Sequence, residues 1–505
     1  MKNNIFSAVL TLSFFTVIDR LLGFFFKIYL SRELGASALG VYQVALSFFM
    51  VLITLTTSGT PLIVSKMTAR FISSGEQKRK DGIVSASIIL GLIICFITVG
   101  VVLILINPLT ATFADERSKL LLLVLLPALF FSVFYSSFRG SLWGEKRYFA
   151  VSIVEIVEQV ARIGSCVILF NFGCDKLLST AISLPLGCFF SAICTALIFF
   201  LSGGRLVRAK GEIKPLFVSA MPITVSRAVS SVVGSLQAIV VPFLLVSSGA
   251  TEHQAMALYG SGVGMALPLL YIPLTIVGSV AFALIPTVSE RFGAKDFNSV
   301  NRQISQSIIF SVCLAGGFCP IFASLGESIG IFIYDDACSG NFLVYSAWTL
   351  IPLAVENITS SVMNSLDLEK SSFINFCVGS VVGFAVMFAY YGSFDIFVLP
   401  TALGIGWTVS SILHIVSIKK RTGLKLGFIY KIVVACLLIL PSNLICSCIY
   451  SLTRSLPRFY SLAICSVVSF VFYGALCIIF GLLNLKFFGI KHNSKHVKQA
   501  KSLAK

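Results

Sequence analysis

Charge is scarce in this sequence. Only 12% of its 505 residues are Asp, Glu, Lys or Arg, about half the roughly 25% usual in soluble domains. A soluble chain of this length would need a charged shell around two or three cores, and these residues cannot supply one. That excludes a soluble multidomain enzyme. Histidine is scarcer still: His253, His414, His492 and His496 are scattered, with no nucleophile set around them. No GxxxxGK[ST] loop occurs, so no ATP-driven engine is expected within the chain. No HExxH and no Cys/His cluster at ligand spacing occurs, so no metal and no cofactor is expected. Long outer loops are missing too, which argues against a membrane-embedded glycosyltransferase or polymerase; no catalytic residue is expected.

What remains is apolar. Hydrophobic residues make up 57% of the chain, 45 of them Phe, and the mean hydropathy is +0.96. A helix crosses the hydrocarbon core in about 20 apolar residues, and backbone groups there must be satisfied within the segment. The apolar runs read as about fourteen spans, at 5–30, 38–64, 83–107, 119–138, 150–171, 177–202, 215–246, 255–285, 303–333, 342–365, 371–392, 395–417, 428–452 and 459–485. The first run is too long for a cleavable signal peptide, and no small-residue cleavage site follows it. Most of the fourteen cysteines, among them Cys95, Cys188, Cys436 and Cys465, sit inside these runs and read as packing residues.

The net charge of +17 would suggest nucleic acid for a soluble protein. Here it records topology instead, because Lys and Arg collect in cytoplasmic loops, and no nucleic-acid partner is expected. With the N-terminus inside, 28 of the 38 basic residues fall in alternate loops and tails on the inner side, and six on the outer. Four lie within spans: Arg20, Lys27, Arg162 and Arg227. Both termini are thus expected in the cytoplasm of a bacterial cell, with the chain multi-pass in the cytoplasmic membrane. The basic tail should rest on membrane lipids.

The two halves resemble each other. Ser141-Leu142, Glu145-Lys146 and Phe149 recur 224 residues later as Ser365-Leu366, Glu369-Lys370 and Phe373. The same offset carries Ser65 onto Ser289, each just beyond a proline, Pro61 or Pro286. Thr16-Val17 before Arg20 parallels Thr224-Val225 before Arg227. The offset crosses six helices, so both halves enter the membrane the same way, as a parallel repeat. The fold class is therefore an all-α polytopic membrane protein: two six-helix lobes, 1–203 and 204–422, two C-terminal helices in 423–488, and a basic tail, 489–505. Two matched bundles facing each other would enclose a cavity for alternating access.

Ionisable groups inside a membrane are costly and usually face a cavity or each other. Arg20 and Lys27, two helical turns apart, share one face of the first helix, and Arg227 begins the equivalent helix of the second half. Arginine offers a planar donor fork suited to phosphate, lysine a point charge. A cationic cavity would suit an anionic head group; the alternative is that Arg20 pairs with a nearby acid and Lys27 snorkels to an interface. Asp19, Glu155, Glu158, Arg162 and Glu356 are the candidates for gating or ion coupling, by H+ or Na+. Glu158 and Arg162 stand at i,i+4 in the favourable order, either as a structural pair or as a lock that opens between states. Two polar stripes, Glu356-Ser360-Asn364 and Arg227-Ser231-Ser235, suit close packing or cavity lining equally. Thr57-Ser58-Gly59-Thr60-Pro61 and Gly260, Gly262, Gly264, Pro268 and Pro273 mark kinks or hinges.

Several short motifs occur in a telling order: Arg20-Leu-Leu-Gly23, Arg32-Glu-Leu-Gly35, Gly40-Val-Tyr-Gln43, Ser58-Gly-Thr-Pro61 with Ser65-Lys66, Phe138-Arg139-Gly140, then Val157-Glu-Gln159 and Arg162. In this the chain resembles bacterial polysaccharide-biosynthesis transporters. The match is nearest the stage V sporulation protein B branch, related to lipid II flippases of the multidrug/oligosaccharidyl-lipid/polysaccharide exporter superfamily. The resemblance implies two six-helix lobes with two extra helices. It also implies an undecaprenyl-pyrophosphate-linked sugar as cargo and first-helix cations as pyrophosphate ligands, a pattern Arg20 matches. Ile53 and Thr54 stand where the family carries a basic pair in its second helix. The expected function is a flippase for a lipid-linked oligosaccharide of the cell envelope. A cation-coupled multidrug exporter of the same superfamily is the alternative.

Overall fold

A computed structural model describes residues 2–110, 113–209 and 211–483. The described residues form helices and turns, with no strand among them. The chain divides into two compact units, Met1–Met265 and Ala266–Lys505. The basic tail expected at 489–505 lies outside the described residues.

The first unit holds α1 (Lys2–Thr57), α2 (Thr60–Ser73), α3 (Gln77–Thr110), α4 (Arg117–Leu125) and α5 (Pro127–Gly144). It continues with α6 (Tyr148–Asn171), α7 (Lys176–Leu201), α8 (Ile213–Ser247) and α9 (Glu252–Tyr259). A π-helical turn, Gly260–Ala266, leads on to α10 (Leu267–Leu270) and α11 (Ile272–Gly293). The second unit continues with α12 (Phe297–Tyr334), α13 (Ala337–Ser346), α14 (Leu350–Ser365), α15 (Glu369–Phe394) and α16 (Val398–Thr422). It ends with α17 (Phe428–Leu437), α18 (Ile439–Leu452) and α19 (Arg458–Ile479).

Helix starts follow local chemistry. Asp175 and Asp296 accept from the backbone N–H groups of Leu178 and Ser299, and Thr251 with Gln254 forms a capping box before α9. Pro61, Pro127, Pro268 and Pro273 sit in first turns, where the missing N–H costs no helical bond. The two kinks expected from proline and glycine are both present, as the break at Ser58-Gly59 and as the π-turn at Gly260–Ala266.

Among the described residues, eleven helices are long and apolar enough to cross a membrane, or twelve if the bent pair Glu252–Leu270 and Ile272–Ala281 is one span. With the bent pair counted as one span, the difference from the expected fourteen arises at two places. Spans 5–30 and 38–64 merge into one continuous candidate span, Val17–Ser73, which runs through α1 and α2; within α1 only Gly35 departs from helical backbone, with a φ of 73° that is costly for any residue with a side chain. In α6, Glu155, Glu158 and Arg162 interrupt the apolar run. Ile104 and Phe172 are each 80% exposed and Leu201 86%, a surface that suits lipid rather than water.

In the first unit, Ile63, Val64, Phe71, Ile83, Phe138, Phe199 and Leu216 bury one another. Small residues set the closest approaches. A Cβ on Gly144 would lie 2.6 Å from Thr68, and one on Gly40 would lie 2.0 Å from the carbonyl oxygen of Met256. α1 and α9 therefore cross backbone to backbone, as membrane helices do at small residues. The second unit is organised on the buried α12. Its neighbours α18 and α19 dock through Ser324 to Asn443, Ser328 to Tyr450 and Phe318 against Phe470. Gly379, Gly383 and Gly406 bring α15 onto α16.

Candidate functional site

A polar cluster lies in the first unit between α1, α5, α6 and α7. α1 brings Asp19, Arg20 and Lys27. Asp19 is partly buried and Arg20 exposed, and Asp19 lies in electrostatic range of Arg20, Arg162, Glu155 and Glu158. The charged neighbour of Lys27 is Arg162. α1 approaches α6 closely at Gly23, where a Cβ would sit 3.3 Å from Gln159 Nε2.

Two arginines here are engaged. Arg139 donates to Glu155, and its guanidinium stacks 4.2 Å from the Trp143 ring centroid and 5.4 Å from that of Tyr135. Arg162 donates to the Tyr42 hydroxyl at 3.0 Å and lies 5.5 Å over the Phe26 ring. Of the two readings of Glu158 and Arg162, the structural ion pair is not formed, although the two stay in electrostatic range. Among the described residues no ion pair joins them, because the guanidinium turns across to α1 and Tyr42. Glu158 instead faces α7, with Cys188 Sγ 4.0 Å from its carboxylate.

Arg20 and Lys27 take part in no salt bridge among the described residues. Arg227, expected beside them as a phosphate ligand, donates instead to the carbonyl oxygen of Ser58 at 2.9 Å. The rest of its stripe behaves alike: Ser231 hydrogen-bonds Thr54 at 3.0 Å, and Ser235 is buried. The α8 stripe therefore packs on α1 and on the break that follows it.

Glu356 belongs to the second unit, on α14, partly buried and with no salt bridge among the described residues. Ser360, one turn on, reaches Ser372 at 3.4 Å. His414, which sequence reasoning left among scattered histidines, is fully buried, with Nδ1 3.2 Å from Thr359 Oγ1 and Nε2 3.3 Å from the Ser372 carbonyl.

Sequence reasoning also missed Arg139 and Lys80, both counted as cytoplasmic loop charges. A usable signal for Arg139 was Tyr135 and Trp143 one turn to either side. Lys80 is 5% exposed and bonds Glu145 at 2.8 Å, with Asp81 at 3.7 Å. Arg79 reaches Glu212 and Glu76, each at 2.7 Å. The first turn of α3, the end of α5 and the start of α8 are thus tied by charge. Outside the spans, burial alone would raise the Asp115 carboxyl. Hydrogen bonds from the Arg117 side chain and backbone N–H, with its charge, hold it below the usual range instead. Among the described residues no three His, Cys, Asp or Glu side chains are grouped to hold a metal.

The arrangement offers two cations on α1, Arg20 and Lys27, that no salt bridge engages among the described residues, beside a mixed-charge cluster. A profile of the polysaccharide biosynthesis protein family matches residues 5–292, and a MatE profile matches residues 259–390. Stage V sporulation protein B of Bacillus subtilis (strain 168) is 23% identical over 80% of this chain and 81% of its own. Lipid II flippase MurJ of the same organism is 22% identical over 86% of this chain and 85% of its own. Among solved structures, a lipid II flippase MurJ in an inward closed conformation superposes with a TM-score of 0.71 at 16% identity, over 92% of this chain and 98% of that one. An inward-facing multidrug resistance MATE family transporter gives 0.68 at 16% identity, over 82% and 98%. With more than half of its length matched by one profile, the chain belongs to the polysaccharide biosynthesis protein family, within the multidrug/oligosaccharidyl-lipid/polysaccharide superfamily of membrane transporters.

Proposed function

We propose that the protein is a flippase that carries an undecaprenyl-pyrophosphate-linked cell-envelope precursor across the bacterial cytoplasmic membrane by alternating access, with both termini cytoplasmic. One observation carries this reading: Arg20 and Lys27 present unpaired cationic groups on one face of α1, while the neighbouring Arg139 and Arg162 are held by Glu155 and Tyr42. A pyrophosphate needs such free donors. Arg227 joins them only by giving up Ser58, which makes it a ligand of one transport state. Lobes at 1–203 and 204–422, with helices 423–488 appended, are the moving parts of this reading. The prenyl chain stays in lipid as the head group passes.

Asp19, Glu155, Glu158 and Glu356 would then serve reset, by membrane potential or by a coupled H+ or Na+. Moving one charge through 100 mV supplies about 2.3 kcal/mol. The same acids, with the MatE match, support a second reading as a cation-coupled drug exporter. The test is complementation of a strain depleted of the protein, with identification of the lipid-linked intermediate that accumulates on the inner leaflet. Arg20→Ala and Lys27→Ala should each accumulate it at normal protein level. Normal growth of both variants refutes the phosphate role, and drug sensitivity without lipid accumulation selects the exporter.

A further inference from the structure

The second unit contains a cleft of about 590 Å3 where four helix ends meet. The end of α11 brings Ser289 and Phe292, the following turn Lys295, and the start of α12 Phe297. The end of α14 brings Asp367, and the last turn of α16 brings Arg421. None of these belongs to the polar cluster of the first unit.

Three features make this more than a surface dent. Lys295 and Asp367 both adopt left-handed backbone, with φ of 60° and 58°. Glycine is the inexpensive residue at such helix ends, and the turns after α2, α6 and α16 use Gly75, Gly173 and Gly423. Lys146 after α5 and Asp335 after α12 share that conformation; what sets this place apart is that two such turns present opposite charges to one cleft. Among the described residues, no salt bridge consumes Lys295, Asp367 or Arg421. The Arg421 guanidinium is held 5.2 Å over the Phe292 ring, itself edge-on to Phe297 at 5.9 Å. The Ser289 hydroxyl ties α11 to the Ser365 carbonyl at 2.9 Å.

The charge pattern selects the ligand. Lys295 and Arg421 favour a phosphate. Asp367 and the C-terminal ends of α11, α14 and α16, each a partial negative charge, disfavour a bare anion and favour a cationic or hydroxyl group. A ligand with separated charges satisfies both, and the exposed edge of Phe297 offers an apolar contact beside them.

We propose that this cleft binds a phosphodiester followed by a hydrogen-bond donor, the head-group chemistry of phosphatidylethanolamine, with the phosphate between Lys295 and Arg421 and the ammonium on Asp367. In the orientation given above the cleft opens at the inner leaflet; the binding chemistry does not depend on that orientation, nor on the cargo.

Native mass spectrometry of the full-length protein in detergent, titrated with phosphatidylethanolamine, phosphatidylcholine or soluble glycerophosphoethanolamine, tests this. Lys295→Gln with Arg421→Gln should weaken phosphatidylethanolamine binding at least about tenfold, the scale of two charge-assisted contacts. Asp367→Asn should abolish the preference for ethanolamine over choline. All three side chains are exposed, so the variants should elute as the wild type on size exclusion. Glycerophosphoethanolamine binding as tightly as the lipid would assign a soluble phosphodiester as the source. Binding of both ligands unchanged in the double variant, or no ethanolamine preference in the wild type, overturns the proposal.

Discussion

Glu145 pairs with two cations of different burial, and this asymmetry yields a quantitative prediction. Lys80 is 5% exposed and lies 2.8 Å from one carboxylate oxygen; Arg147 is 47% exposed and lies 3.1 Å from the other. Removing one partner of a buried ion pair costs about 3–5 kcal/mol, because the remaining charge is left unpaired in a poor solvent. Lys80→Met leaves Asp81, 6% exposed, without its cation, and Glu145, 11% exposed, with only the half-exposed Arg147. Its cost should reach about 3–5 kcal/mol, two to four decades in the folded-to-unfolded ratio. Arg147→Met removes a pair that water already screens, and should cost no more than about 1 kcal/mol. Lys80→Met with Glu145→Leu should recover part of the loss, since the buried carboxylate that keeps only an exposed partner is then gone. Thermal or denaturant unfolding in one detergent measures all three. Equal effects of the two single variants, or a double variant worse than Lys80→Met alone, would refute the burial argument.

Further outcomes follow from other contacts. Gly40→Val should prevent folding of the first unit, since even a Cβ would lie 2.0 Å from the Met256 carbonyl oxygen, while Gly100→Ala, with nothing within 4 Å, should be neutral or stabilising by up to about 1 kcal/mol; folded yield on size exclusion compares them. Tyr42→Phe removes the acceptor of Arg162 and should cost about 1.5–3 kcal/mol, the range for a hydrogen bond to a charged group, read by unfolding midpoint. The Asp115 carboxyl is depressed in the folded state, so its contribution is present above the ordinary carboxylate pKa of about 3.9 and lost as pH falls through the lower folded value. Asp115→Asn should therefore lower stability at pH 7 and flatten its fall between about pH 4 and pH 2; a parallel pH profile in wild type and variant would count against the Arg117 hydrogen bonds.

Much of the fold was legible because hydrocarbon imposes one rule on every segment, and runs such as 83–107 and 177–202 obey it without ambiguity. The count was less secure where that rule is relaxed. Gly35 bends α1 without ending its helical run, and α6 keeps three ionisable residues in an apolar stretch. The acids of the candidate site stood out because charge within a span is rare. Their partners did not. Arg139 and Lys80 follow or precede apolar runs and look like ordinary cytoplasmic positives, and only the fold shows that one is stacked between aromatic rings and the other buried. The partner of Arg227 was beyond any sequence pattern, since a backbone carbonyl carries no residue-type signature.

That last contact has a mechanical consequence. Residue 58 ends a helix ahead of Gly59 and Pro61, so its oxygen lacks the amide partner that a continuous helix would provide. The guanidinium of Arg227 takes that place from a neighbouring helix, and the Thr54–Ser231 bond one turn away reinforces it. Sliding α8 along α1 would therefore strand an acceptor at membrane depth unless water or a ligand arrived to replace the arginine. The two segments should travel as a single strut for as long as that contact holds.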